Sequence, residues 1–234
     1  MALKAKKDRR WWRITKKIFL YWCLLLLVLL VYGKWFNPPI TWMQLGSVIT
    51  GHGLKRAYVS KTNIPYNVKL ALIASEDQGF ATHGGFDWDA ISKALKGESK
   101  LGFGGTSTIS QQVAKNYFLW HGWGPLRYVR KVFEFPLTKG IELLWGKKRI
   151  LNCYLNICEM GDGVYGIQAA AKEFYNKDAN QLSRTEAAQI IATLPNPKIY
   201  KLKPMSKYVA KRSQAILTQM NNIEFIDDIQ AIIK

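Results

Sequence analysis

Positions 75–85 read SEDQGFATHGG, with two adjacent carboxylates, Glu76 and Asp77, followed by Phe80, His83 and a glycine pair. Glu76 closes the apolar run LALIAS. A carboxyl at the wall of an apolar cleft is a useful proton acceptor or donor, because desolvation favours its neutral form. Taken alone, an acid at a helix end more often faces water. Phe80, His83 and Gly84–Gly85 shift that balance, since they make the segment look built to hold one geometry. A lone histidine such as His83 is itself more often a structural hydrogen-bonding group than a ligand or a base.

Two further segments carry chemistry. GGTSTISQQVAKN (104–116) is polar where a helix should begin, and free backbone N–H groups at such a point can hold an anion. Gln111, Gln112 and Lys115 could bond a sugar or a phosphate; an ordinary cap with a polar face explains the same residues. The pattern G-x-x-x-x-G-K-[ST] is absent, so this is not a P-loop. RYVRKVFE (127–134) sets Arg127, Arg130 or Lys131, and Glu134 along one helical stripe. Exposed, that stripe is a salt-bridged face; beside a cleft it is a phosphate clamp with a second carboxylate.

These groups need elements to position them. Among 234 residues, Lys plus Arg number 34 against 16 Asp plus Glu, a net charge of +18 that points to a polyanionic partner. Part of the excess is topological. Residues 1–17 are crowded with Lys and Arg, and Ile18–Gly33 carries no charge. At about 1.5 Å per residue that run reaches roughly 24 Å, and Lys34, Trp35 and Phe36 suit the headgroup level beyond it. The positive-inside rule then places the N-terminus in the cytoplasm and 37–234 outside it. A cleaved signal peptide is the rival, but no A-x-A-like site follows the run. Cys23, Cys153 and Cys158 form no disulfide framework, and no C-x-x-C or histidine cluster suggests a metal.

Beyond residue 42 the chain reads mainly as helices. Pro65 opens PYNVKLALIASE, with Val68, Leu72 and Ile73 on one face. Asp87 caps DWDAISKAL. The glycine-rich stretch 97–105 reads as a mobile loop. Thr108 with Gln111, and Ser183 with Glu186, have capping-box spacing. Pro136 should kink or end the basic helix. KKRILNCYLNICEM, IQAAAKEFY and SKYVAKRSQAILTQM continue as helices, GDGVYG is a turn, and a short hairpin is placed near 54–60.

Together the segments resemble a known family. EDQGFATHGG fits E-D-x-x-F-x-x-H-x-G at Glu76, Asp77, Phe80, His83 and Gly85. GTSTISQQ fits G-x-S-T-I-x-Q-Q at Gly105, Ser107, Thr108, Ile109, Gln111 and Gln112. RKVFE fits R-K-x-x-E at Arg130, Lys131 and Glu134. KKRILNCYLN fits K-x-x-I-L-x-x-Y-L-N at Lys147, Ile150, Leu151, Tyr154, Leu155 and Asn156. RTEAAQIIATLP resembles the fifth block. Five blocks in order over about 65–200 resemble the peptidoglycan glycosyltransferases of family 51. With little chain left for a transpeptidase domain, the resemblance is to the monofunctional, membrane-anchored members.

The resemblance implies a mainly α, lysozyme-like glycosyltransferase domain, with a head and a small jaw lobe, on a single N-terminal transmembrane helix. Residues 1–17 would be a basic cytoplasmic tail, 18–36 the anchor and 37–234 a periplasmic domain at the bacterial inner membrane. Lipid II and the growing lipid-linked glycan would be the substrates, with other wall-synthesis or division proteins as partners and no nucleic acid. Glu76 would be the general base and Glu134 the second acid of the site. His83, Ser107, Thr108, Gln111, Gln112, Lys115, Arg130 and Lys131 would bind substrate. Asp77 would fix local structure, and the Gly85 turn would let the chain approach the substrate. No cofactor is essential, and a Mg or Mn ion has room near the diphosphate. Pro136 departs from the family motif and puts the role of Glu134 in question. A wall-cleaving enzyme of lysozyme or lytic type, and a non-catalytic scaffold of wall assembly, are the competing classes. Neither has a use for all five blocks.

Overall fold

A computed structural model describes residues 2–96, 107–120, 122 and 124–234. The stretch 97–105, with Gly105 of the second block, lies outside them. The described residues form eleven α-helices and one three-stranded sheet. The first helix, α1 (Ala2–Tyr32), runs from the basic tail through the apolar run without a break. Its portion Trp11–Tyr32 is long and apolar enough to cross a membrane. A short helix α2 (Trp42–Ile49) follows, started by a capping box between Thr41 and Gln44.

Helix α3 (Tyr66–Glu76) is the centre of the core. The apolar positions Val68, Leu72 and Ile73 are fully buried as expected, but so are Leu70, Ala71 and Ala74 on the other sides. The single buried face expected from periodicity is therefore a helix buried nearly all round. It packs against α9 (Arg184–Ile191) and α10 (Lys207–Ile223), with α11 (Asp227–Ile233) on a further side. Burying one such leucine contributes about 1.5–3 kcal/mol, and Leu72→Ala, which adds a cavity, costs about 2–5 kcal/mol. That rigidity is what holds Glu76 at the end of α3.

Local caps set the other starts. Asp87 accepts from the Ala90 amide at 2.8 Å and opens α4 (Trp88–Leu95). Thr108 and Gln111 form the capping box of α5 (Ile109–Phe118), and Ser183 and Glu186 that of α9. Helix α6 runs continuously from Leu126 to Trp145, so Pro136 neither ends it nor stops it short of Glu134. Proline removes the bond to Val132 O, and Val132 lies on the exposed side of the helix. Helices α7 (Lys147–Ile157) and α8 (Ile167–Tyr175) complete the body.

The sheet corrects the hairpin expected near 54–60. Strand β1 (Lys55–Arg56) pairs in parallel with β3 (Val164–Tyr165), and β3 pairs antiparallel with β2 (Glu159–Gly161). The partner of β1 is thus more than a hundred positions away, and GDGVYG supplies the tight link between β2 and β3. Asn156 continues this cross-connection: its Oδ1 accepts from the Val59 amide at 2.7 Å and its Nδ2 donates to Val59 O at 3.0 Å.

Where α1 ends, the chain is clasped to the body. Trp145 Nε1 donates to Leu30 O at 2.7 Å. Arg149 donates to Gly33 O at 2.9 Å, Phe36 O at 2.8 Å and Asn37 Oδ1 at 2.9 Å. Leu30 lies so close to Gly140 of α6 that a Cβ there would sit 2.8 Å from its Cδ2. Trp22 meets Phe133 edge to face at 5.1 Å between ring centres.

Candidate active site

Glu76 and Asp77 are adjacent in sequence but face different partners. Asp77 ends α3, is buried, and accepts from the Ile109 amide at 2.9 Å through Oδ2. The anion at the head of α5 is therefore the protein's own Asp77, where the polar sequence had suggested a ligand. His83 Nε2 lies 2.8 Å from Asp77 Oδ1, and its Nδ1 accepts from the Gly85 amide at 3.1 Å. Accepting at Nδ1 fixes the proton on Nε2, which donates to Asp77. Both ring nitrogens of His83 are thus engaged within the protein.

The glycine turn also faces inward. Gly85 has φ +97°, and a Cβ there would lie 2.9 Å from Thr138 Cγ2 and 3.0 Å from Glu142 Cγ. Its close approach is to α6, where the sequence reading had placed substrate. Thr108 Oγ1 donates to Gly85 O at 2.7 Å, Lys139 Nζ to Gly84 O at 2.7 Å, and Lys147 Nζ to His83 O at 2.7 Å. The segment that carries the acid pair is thereby tied to three helices.

Glu76 looks into the other side. Its Oε1 accepts from Ser75 Oγ at 3.1 Å, and the Arg212 guanidinium of α10 lies 3.5 Å from the same oxygen. Its Oε2 accepts from Gln112 Nε2 at 3.1 Å. Gln112 is held in turn by Tyr154 Oη, which donates to its Oε1 at 2.9 Å. The Glu76 side chain is 10% exposed, enclosed but reachable. Arg212 was not singled out from the sequence. The signal was there: it falls in helical register with buried Val209, Ser213 and Ile216, and a cation on a core stripe implies a waiting anion.

The second carboxylate is built differently. Glu134 is 2% exposed. Its Oε1 takes a close ion pair from Arg130, and its Oε2 one from Lys131 at 2.8 Å. Lys131 Nζ also donates to Ser107 Oγ at 3.3 Å. Arg127 is not part of this group; it turns out to Tyr128 Oη at 2.7 Å. Lys115 stands one turn from Gln112 on α5, and no carboxylate lies within ion-pair distance of it among the described residues. Burial pushes its pKa below the ordinary lysine value, with Arg130 and Lys131 adding to the effect and Glu134 opposing it. Thr108 and Gln111 are buried in the cap of α5, with Gln111 Oε1 accepting from the Thr108 amide at 2.9 Å.

Helix α5 therefore joins two centres. Gln112 meets Glu76, and Lys115 extends the cationic group of Arg130 and Lys131. A proton acceptor on one side and a cation cluster on the other suit the transfer of a group from a phosphate leaving group to a hydroxyl. A protein-held divalent ion does not fit this donor set. Both oxygens of Glu134 are taken by cations, and no group of three His, Cys, Asp or Glu gathers among the described residues.

Comparison with known proteins agrees with this geometry. A family model described as Transglycosylase matches residues 43–221. A biosynthetic peptidoglycan transglycosylase of Haemophilus influenzae is 41% identical over 232 residues, covering 95% of this chain and 93% of that protein. One from Yersinia pseudotuberculosis is 46% identical over 197 residues, covering 80% and 79%. One from Xylella fastidiosa is 40% identical over 221 residues, covering 91% and 90%. With its helical body, its two carboxylate centres and a family match over most of its length, the chain belongs to the transglycosylase family.

Proposed function

We propose that the chain polymerises lipid II into β-1,4-linked glycan strands, with release of undecaprenyl diphosphate, in bacterial wall synthesis. Glu76 is the general base. It takes the proton from the 4-hydroxyl of the incoming GlcNAc as that oxygen attacks C1 of the MurNAc at the reducing end of the growing chain. The new C1–O bond forms on the face opposite the departing diphosphate, so the α-linked donor gives a β product. A sugar hydroxyl is a poor nucleophile until its proton is removed, and a positioned base contributes about 10²–10⁴-fold. The leaving diphosphate needs positive charge more than a proton, and Lys115, Arg130 and Lys131 supply it. Glu134 holds Arg130 and Lys131 in place. Gln112 orients Glu76, while Ser107, Thr108 and Gln111 shape the donor side and His83 braces the Asp77 turn. Any divalent ion would arrive with the diphosphate.

The observation that carries this reading is the contrast in how the two acids are held. A glycan-cleaving enzyme needs an acid to protonate its alkoxide leaving group, usually the second of two carboxylates. Here the second carboxylate is locked between two cations, which suits a counter-ion and not a proton donor. Purified protein incubated with labelled lipid II should give polymer. Fragments from finished wall, with no polymer from lipid II, would replace this reading with the lytic one.

The apolar span supports a membrane anchor. The basic residues before it argue for a cytoplasmic N-terminus and a periplasmic catalytic body at the inner membrane. Protease added to spheroplasts should then digest the body and spare the tail, and a protected body would reverse the orientation.

A further inference from the structure

We infer that Arg212 is a positioning residue for Glu76, and that it and Ser75 leave Glu76 Oε2 as the atom that accepts the proton. The inference rests on the reading of Glu76 as base. Glu76 is the last residue of α3, the negative end of the helix dipole, and Asp77 stands beside it. A cation reaches it from a distant element: Arg212 of α10, whose guanidinium lies 3.5 Å from Glu76 Oε1 and donates to Ser75 Oγ at 3.1 Å. Arg212 also bonds the Tyr208 hydroxyl, and Tyr208 stacks on Tyr200 with ring centres 3.7 Å apart. The guanidinium is thus held from both sides, and its side chain is 12% exposed.

The two oxygens of Glu76 end up unequal. Each carboxylate oxygen has two lone pairs. Oε1 accepts the Ser75 hydroxyl and faces the guanidinium. Oε2 accepts one neutral amide, from Gln112, among the described residues. Oε2 therefore keeps a lone pair for the proton of the attacking hydroxyl. Arg212 keeps the group turned so that this lone pair meets the substrate. It acts through its bonds to protein groups, without contact to substrate.

The test uses the full-length protein in detergent with labelled lipid II, reading kcat and KM separately. Arg212→Met should lower kcat by about 10–100-fold, the scale of a misplaced reacting group, with KM within about threefold. Arg212→Lys should recover part of kcat, and Ser75→Ala should lose several-fold in kcat. In a Glu76→Gln background, Arg212→Met should have no further effect, since the group it positions is gone. Normal kcat in Arg212→Met, or a raised KM with kcat intact, would overturn the inference. Should Arg212→Met fail to bind lipid II for want of folding, Arg212→Lys and Ser75→Ala decide, and wild-type kcat in both would reject it. Failure of the base reading looks different: Glu76→Gln alone would then keep its turnover.

Discussion

The two carboxylates of the site, Glu76 and Glu134, are the same side chain in opposite settings. Glu134 is sealed in, with a cation on each oxygen. Glu76 is held by two neutral donors, with one cation at the longer distance of 3.5 Å from Oε1. A carboxylate that is fully engaged organises its neighbours. One that is half engaged, in a place substrate can reach, is free to take a proton. On the roles proposed above, function follows from unfilled hydrogen-bonding capacity and not from residue type.

The comparison breaks most decisively at Glu76. Glu76→Gln keeps the shape and removes the base, and polymer formation should fall by about 10²–10⁴-fold while lipid II still binds and the melting temperature stays near wild type. Near-normal turnover would end the base assignment. Glu134→Gln should behave in the opposite way. It strips a buried charge from between Arg130 and Lys131, so stability should fall by about 2 kcal/mol, the scale of hydrogen bonds to charged groups, with turnover lost partly through the displaced cations. Thermal melting beside initial rates would show it, and an unchanged melting temperature would mean that Glu134 is not the keystone of the cluster.

Lys131→Gln isolates the cation side. Lys131 is 49% exposed on its side chain, so its ion pair adds little to stability. Losing a charge-assisted bond to phosphate should nonetheless cost about tenfold or more in turnover. Substrate analogues without the diphosphate should feel the change less; an equal loss for both would place the clamp elsewhere. The smallest effect is a shift in pH dependence. Burial lowers the pKa of Lys115, so its charge is lost at lower pH than that of a surface lysine, and kcat/KM should fall on the alkaline side as it neutralises. Lys115→Arg keeps the charge and should move that fall to higher pH. An identical alkaline limb in both proteins would exclude Lys115 from phosphate binding.

What could be read from the sequence was whatever the chain decides within about one helical turn. The caps at Asp87, Thr108 and Ser183 were legible because each bond spans three residues. The ion pairs of Arg130 and Lys131 with Glu134 were legible for the same reason. Arg212 was not, because its partners lie on an element 137 positions from Ser75 and only packing brings them together. The pairing of β1 with β3 failed likewise, since two-residue strands carry no alternation to read. Of the two effects expected of Pro136, an end to the helix does not occur, for a different reason: a helix loses one bond at proline, and α6 keeps packing on its buried side at Leu137, Thr138 and Ile141. The blocks around His83 and Gly85 marked a conformation to be held, and the partners they hold turned out to lie within the protein.

The clasp where the chain leaves α1 has its own consequence. Trp145 and Arg149 grip the carbonyls of Leu30, Gly33 and Phe36 and the side chain of Asn37, so the apolar helix and the body are joined at several points. A body on a loose tether would have to find a lipid-borne sugar by swivelling as well as drifting. With α1 as the proposed membrane anchor, a locked body would keep its cleft at a constant height and heading over the bilayer, so that encounter would become a collision between two objects sliding in a plane. The orientational entropy is then surrendered once, at folding, and not again with each sugar added.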